Sequence, residues 1–432
     1  MKQHSFLTAL CLLFAAVPIT GQTIKSSMEF APSEHWVKPV EKPYREEICL
    51  NGTWAFAPVQ LPVGFKEGET PAPALPGVNE VTFSKTPIRI PSPWNVNSFA
   101  DKNGLGGDHR TYPSYPKEWE SIKMGWLQKK FTVPASWKGK RIQIHFEAVA
   151  GKADIYVNGK VVGDNFDIFM PFDIDITDAV KFGQENILNV GIQKSSLFDD
   201  RKSPLGRRTY QGGSFWGQHI AGIWQDVYLV ALPQTRVADV YIQPIVNKNT
   251  LEVEVTLRND ENKPVKVNIS AAAYPWISKA GKTVLTAANP SSQLGSQAAL
   301  QMPTQKVTIP AGKEIKTTLK TTVDNKLKLW SPSSPNLYGL VVKTSVNGKT
   351  NDSKYTRFGW RQTELKDGKF WLNGKPFVLK GDSWHYMGIP QMTRRYPWAW
   401  YTALRDANCN AVRLHAQPFP SFYLDVADEM GI

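Results

Sequence analysis

The chain has 432 residues and a formal charge of +13, from 51 Lys and Arg against 38 Asp and Glu. At roughly 100–200 residues per domain this length predicts two to four domains with more than one core. A hydrophobic content of 41% with 21% charged residues excludes a disordered chain, and basic residues scattered between apolar runs, without a concentrated stripe, argue against nucleic acid as a partner.

Residues 1–21 read as a signal peptide. Lys2 precedes an apolar run over 6–17, and small or turn residues follow up to Gly21, a layout too short to cross a membrane as an ordinary helix. The expectation is export, to the periplasm or beyond, with no membrane span. Of three cysteines, Cys11 leaves with this segment. Cys49 and Cys409 fall in different predicted domains and read as free, buried thiols.

Gly and Pro at 31 each, with 15 Trp, point to β-rich domains with many turns. Residues 28–232 are expected to form a β-sandwich. From 126 to 232 come "WLQKKFTV", "RIQIHFEAV", "ADIYVNGKVV", "FDIDIT", "ILNVGIQ" and "WQDVYLVAL", whose period-two alternation describes antiparallel strands, with Asn158-Gly159 as a tight turn. Residues 51–94 add outer strands and a long loop. Residues 233–358 form a second, immunoglobulin-like sandwich, carried by "LEVEVTLRNDENKPVKVNIS", "KVTIPAGKEIKTTLKT" and "LYGLVVKTSVNG". The Ser-, Gln- and Ala-rich stretch 287–305 reads as a loop or edge insertion.

After Arg361 the pattern changes. "FVLKGDSWH" reads as a strand, "PWAWYTALRDANC" as a helix, "NAVRLHAQP" as a strand, and "FPSFYLDVADEMG" as a helix ending on Gly431. Strand, helix, strand, helix predicts parallel pairing. Residues 359–432 are therefore expected to be the first two βα units of a (β/α)8 TIM barrel, which needs eight units and about 250 residues.

The order sandwich, immunoglobulin-like domain, barrel resembles glycoside hydrolase family 2, the group of β-galactosidases, β-glucuronidases and β-mannosidases. The residues that carry the resemblance are "LNGTWAF" at 50–56, "IPSPWN" at 90–95, "FTVPASWKGKRIQIHFEAV" with "ADIYVNGKVVG" and "PFDIDIT" within 131–177, and "GIWQDVYL" at 222–229. They continue with "LWSPSSPNLYGL" at 329–340, "FGWR" and "FWLNGKPFVLKG" within 358–381, and "NAVRLHAQP" with "DEMGI" within 410–432. The resemblance implies a jelly-roll, sugar-binding-like fold for the first sandwich. It also implies an exo-acting, retaining β-glycosidase, with β-galactosidase as the first expectation, a glycoside or oligosaccharide as substrate, and no metal or cofactor assigned.

Retention requires two carboxyl groups about 5–5.5 Å apart across the scissile bond. The family's two glutamates fall on later barrel strands, so the resemblance implies that both lie beyond Ile432 and that the 432-residue chain alone is catalytically incompetent. Within the barrel segment only Asp382 sits near the C-terminal end of a strand, where barrel chemistry occurs.

The segment does carry candidate substrate contacts. Arg413 and His415 are two apart on the second predicted strand and project to one side, Val412 and Leu414 to the other. His385 matches a family histidine that holds the sugar. The usual family spacing Arg-x-x-His-Tyr-Pro is Arg-x-His-x-x-Pro here, displacing the histidine by one place. Where many members carry an Asp six residues before the glycine matching Gly222, this chain has Trp216, which removes an alkali-metal contact. It leaves Trp216, Trp384 or Tyr386 to stack on a pyranose face or to pack in a core. A non-catalytic carbohydrate-binding protein working through its sandwiches is the alternative. Sugar, linkage and oligomeric state are left open.

Overall fold

A computed structural model describes residues 35–69, 71–95, 115–199, 220–278, 292–384, 394–415 and 417–432. The signal-peptide segment, Trp216, His385 and Tyr386 lie outside the described residues.

The first unit contains β1 (Glu46–Cys49), β2 (Gly52–Val59), β3 (Ile88–Ile90), β4 (Met124–Thr132), β5 (Arg141–Phe146), β6 (Val149–Val157), β7 (Lys160–Asp167), β8 (Phe172–Asp175), β9 (Glu185–Gln193), β10 (Gly222–Ile223) and β11 (Val227–Leu232). They form two antiparallel sheets, one ordered β1-β11-β5-β8 and one β10-β6-β9-β4-β2-β3, with β7 added beside β6. Alternation decides what faces the core. Ile142, Ile144 and Phe146 of β5 point inward against Trp54, Phe56, Leu127, Leu188 and Val190, all at most 2% exposed. In β11, "VYLVAL", every residue is buried, because Trp36 and Val37 cover its outer face. Alternation is therefore clear in β5 and hidden in β11.

The second unit begins with β12 (Thr235–Ile245), β13 (Thr250–Asn259), β14 (Val265–Ser278), β15 (Ser292–Leu294), β16 (Leu300–Gln301), β17 (Gln305–Ile309) and β18 (Glu314–Thr322). It continues with β19 (Trp330–Ser331), β20 (Ser334–Pro335), β21 (Leu337–Val346) and β22 (Lys349–Gly359). One sheet runs β12-β13-β18, and the other centres on β14, flanked by β21 and β22 on one side and by β15, β16 and β17 on the other. "KVTIPAGKEIKTTLKT" therefore supplies two strands to two different sheets, which is how an immunoglobulin-like sandwich closes its core of Val253, Val255, Val267, Ile269, Leu319 and Leu340. The stretch read as a loop over 287–305 departs from that expectation where it is described: β15 and β16 pair with β14. Short strands laid on an edge satisfy the backbone of β14 without needing an apolar period of their own.

Residues 363–376 form a small hairpin sheet, β23 (Thr363–Lys366), β24 (Lys369–Leu372) and β25 (Lys375–Pro376). Beyond it come β26 (Gly381–Trp384), α1 (Arg395–Asp406), β27 (Ala411–Leu414) and α2 (Ser421–Met430). β26 and β27 pair in parallel, so the strand, helix, strand, helix reading describes the observed order. The first strand is shorter than the expected 377–385. It has one neighbour among the described residues, and ladder bonds extend only as far as β27 runs beside it. α2 ends on Gly431 at φ 73°. A Cβ there would also meet the Pro332 carbonyl oxygen at 2.2 Å, so only glycine both stops this helix and lets it rest on the second sandwich.

Candidate functional site

The helices fix which side of the β26–β27 pair is open. Tyr401, Leu404, Tyr423 and Val426 of α1 and α2 are at most 8% exposed and pack with Ala148, Ala150, Ile168 and Trp224 of the first sandwich. Trp384, Val412 and Leu414 pack against the same cluster. Trp384 lies 4.8 Å from the ring of Trp400 and 6.4 Å from that of Tyr396. That face of the strand pair is thus turned toward the helices.

The register then sorts the remaining candidates. Asp382 is opposite Val412, Ser383 opposite Arg413, and Trp384 opposite Leu414. Partners in parallel strands point to the same side, so Ser383, Arg413 and His415 share the face away from the helices, and Asp382 and Trp384 share the other. Gly381 makes this close pairing feasible, since a Cβ there would meet the Ala411 carbonyl oxygen at 2.0 Å. The pairing continues past β27, with the His415 amide donating to the Trp384 carbonyl at 2.8 Å.

On the open face, the Arg413 Nη1 donates to Ser383 Oγ at 3.2 Å and to His415 Nδ1. Among the described residues Arg413 has no carboxylate partner. Three hydrogen-bond-capable side chains thus meet at the C-terminal ends of two parallel strands. A guanidinium and an imidazole in this position can hold the hydroxyl groups of a sugar or a developing negative charge. The structure brings Arg413 and His415 together as their spacing suggests. It does not bring Asp382 or Trp384 to them: the Asp382 carboxylate accepts from the Ser383 backbone amide at 2.7 Å, and Trp384 packs against α1. Sequence reading missed Ser383. The available signal was strand alternation, two residues before His385 on the first predicted strand.

The other acidic groups of the region are committed elsewhere. Glu429 is 6% exposed and accepts from both Arg357 and Arg394. Asp425 accepts from Arg357 at 2.7 Å, and Asp428 from Arg361 at 2.8 Å. The Trp330 indole donates to the Asp428 carbonyl at 2.8 Å. Burial alone would lower the affinity of Arg357 for its proton, yet the charges of Asp425 and Glu429 outweigh it and push that affinity up. These carboxylates anchor α2 to the second sandwich. Among the described residues, no three His, Cys, Asp or Glu side chains gather as a metal site would require. Cys49 and Cys409 are free and half-buried, and burial pushes the Cys49 thiol up to about 11, which keeps it protonated and inert. No described helix is long and apolar enough to cross a membrane.

Comparison with known proteins places this architecture. The family model described as "Glycosyl hydrolases family 2, sugar binding domain" matches residues 48–233, and "Glycosyl hydrolases family 2" matches 235–361. A "Beta-galactosidase" of Thermoanaerobacter pseudethanolicus is 29% identical over 343 residues, covering 75% of this chain and 40% of that protein. A "Beta-glucuronidase" of Formosa agariphila is 27% identical over 380 residues, 82% of this chain and 35% of its own length. Among solved structures, a Bacteroides uniformis β-glucuronidase superposes with a TM-score of 0.65 at 21% identity, covering 90% of this chain and 41% of that one. That last likeness concerns the fold. The chain spans about two fifths or less of the length of these relatives. With two consecutive family matches running from residue 48 to 361, the chain belongs to glycosyl hydrolases family 2.

Proposed function

We propose that this chain supplies the two sandwiches and the opening of the catalytic barrel of an exported β-glycosidase that retains anomeric configuration, with a β-galactoside as the first substrate to test. The observation that carries the reading is the placement of Arg413 and His415 on the helix-free face of a parallel strand pair, at the strand ends where barrel enzymes bind substrate. His385, matched by motif, belongs to the same proposal. The printed names of the relatives, β-galactosidases and β-glucuronidases, favour a β-linked hexose or hexuronic acid as the sugar class.

The two-carboxylate step is not assigned to this segment. Asp425, Asp428 and Glu429 are bound to arginines, and Asp382 faces the helix side of the pair. The 432 residues by themselves are therefore expected to bind sugar without hydrolysing it. The test is a panel of nitrophenyl β-galactoside, β-glucuronide and β-mannoside with the 432-residue chain and with the complete product of its gene. The reading expects turnover by the complete product only, with the β-anomer formed first by NMR, and recovery of that product outside the cytoplasm. Turnover by the 432 residues that is lost in Asp382→Asn would overturn the assignment of the carboxylates. No turnover by the complete product on any β-glycoside would favour a non-catalytic carbohydrate-binding protein.

A further inference from the structure

The open face of β26–β27 has an internal order that its residue types alone do not require. Nη1 of Arg413 carries two N–H bonds, and the structure spends both of them: one reaches Ser383 Oγ at 3.2 Å, the other His415 Nδ1. Arginine has only donors. A cation donating to Nδ1 requires that nitrogen to present its lone pair, so the imidazole proton resides on Nε2. A histidine held this way is a hydrogen-bond donor through Nε2. Without the arginine contact, the two tautomers of an exposed histidine interconvert.

Arg413 itself is exposed, and a long side chain in water samples many rotamers unless something anchors its planar fork. Ser383 is the neighbour that does so. It stands opposite Arg413 in the parallel register, and its hydroxyl rotates to accept from Nη1. The contact depends on a one-carbon side chain on the adjacent strand, at the pleat position that faces Arg413.

We propose that Ser383 is a positioning residue: its hydroxyl steers Arg413 so that the guanidinium holds His415 as an Nε2–H donor on the open face. Its functional meaning rests on reading that face as the sugar site, whereas the tautomer does not. This arrangement also accommodates the displaced histidine, because Arg413 and His415 two apart on one strand point to one side and reach each other directly.

The experiment is nitrogen NMR of the 432-residue chain labelled at histidine, at a pH where the imidazole is neutral, with His415→Gln used to assign the resonances. The wild-type chain is expected to show one tautomer, with an unprotonated Nδ1. Ser383→Ala and Arg413→Met are each expected to collapse the Nδ1 and Nε2 shifts toward an average, with unchanged circular dichroism, and Ser383→Thr to restore the wild-type pattern. A wild-type tautomer surviving in either Ser383→Ala or Arg413→Met overturns the proposal. Titration of the same samples with methyl β-galactoside separates the two claims. The wild-type dissociation constant is expected to rise several-fold in Ser383→Ala and return in Ser383→Thr. No binding by any variant, with the tautomer pattern as expected, would contradict the sugar-site reading and leave the role of Ser383 standing.

Discussion

Single residues in this chain are set by partners far away in sequence. His145 on β5 is 7% exposed, with Nδ1 at 2.8 Å from Asp173 and Nε2 at 3.2 Å from Glu147, beneath the ring of Trp36 at 5.3 Å. Burial works against its charge, but the hydrogen bonds and charges of Asp173 and Glu147 prevail and lift it to about 9. A folded value above the ordinary 6.5 means that the stabilisation is complete below 6.5 and is lost as pH rises through about 9. Urea unfolding at a series of pH values should therefore show a decline on the order of 3 kcal/mol across that window, and His145→Gln should flatten it. An unchanged slope in the variant would contradict the assignment. Asp226, which burial pushes up to about 6, acts in a separate window, costing stability as pH rises from 3.8 to about 6. Alternation placed His145 on an outer face. What it could not show is that residues 36 and 37 turn this outer face into an interior.

At the scale of elements, α2 is the part of the barrel segment most firmly tied down. Glu429 serves two buried arginines, Arg357 at 11% and Arg394 at 4% side-chain exposure. Glu429→Gln leaves those two cations short of a carboxylate, and loss of one partner from a buried pair costs about 3–5 kcal/mol. Hydrogen exchange across Ser421–Met430 should accelerate accordingly. Asp428→Asn, at a side chain 29% exposed, should change stability by no more than about 1 kcal/mol. Equal protection of α2 in wild type and Glu429→Gln would show that apolar packing alone docks the helix. The helix was legible in sequence, from its apolar spacing and Gly431, but its ionic anchorage was not. Arg357 and Glu429 are 72 positions apart, and each alone reads as a solvated charge. The β23–β25 hairpin escaped the sequence reading for a related reason. Leu365 is 77% and Phe370 40% exposed, so no buried face imposed a period on it.

At the scale of the whole molecule, three units are locked together by a few buried polar groups. Arg45 and Asp352, at 2% and 0% side-chain exposure, join the first sandwich to the second through paired bonds of 2.9 and 2.7 Å, and Glu41 accepts from the Tyr355 amide at 3.0 Å. The parallel strand–helix unit leans on both sandwiches, through the Trp224 and Tyr401 cluster on one side and Arg357 on the other. The order of the units was readable because each keeps its own hydrophobic period. The candidate site was readable only in part, because residue spacing along one strand pairs Arg413 with His415, while the register of β26 against β27, which admits Ser383 and turns Asp382 away, is a property of two strands 30 residues apart. The claim that joins these scales is that the helix-free face of that strand pair binds the sugar. Chemical-shift mapping of the 432-residue chain with methyl β-galactoside and methyl β-glucuronide tests it most directly. The account predicts shifts concentrated at Ser383, Arg413 and His415 and abolished in Arg413→Ala; shifts confined to the outer sheets of the sandwiches, and unchanged in that variant, would contradict it.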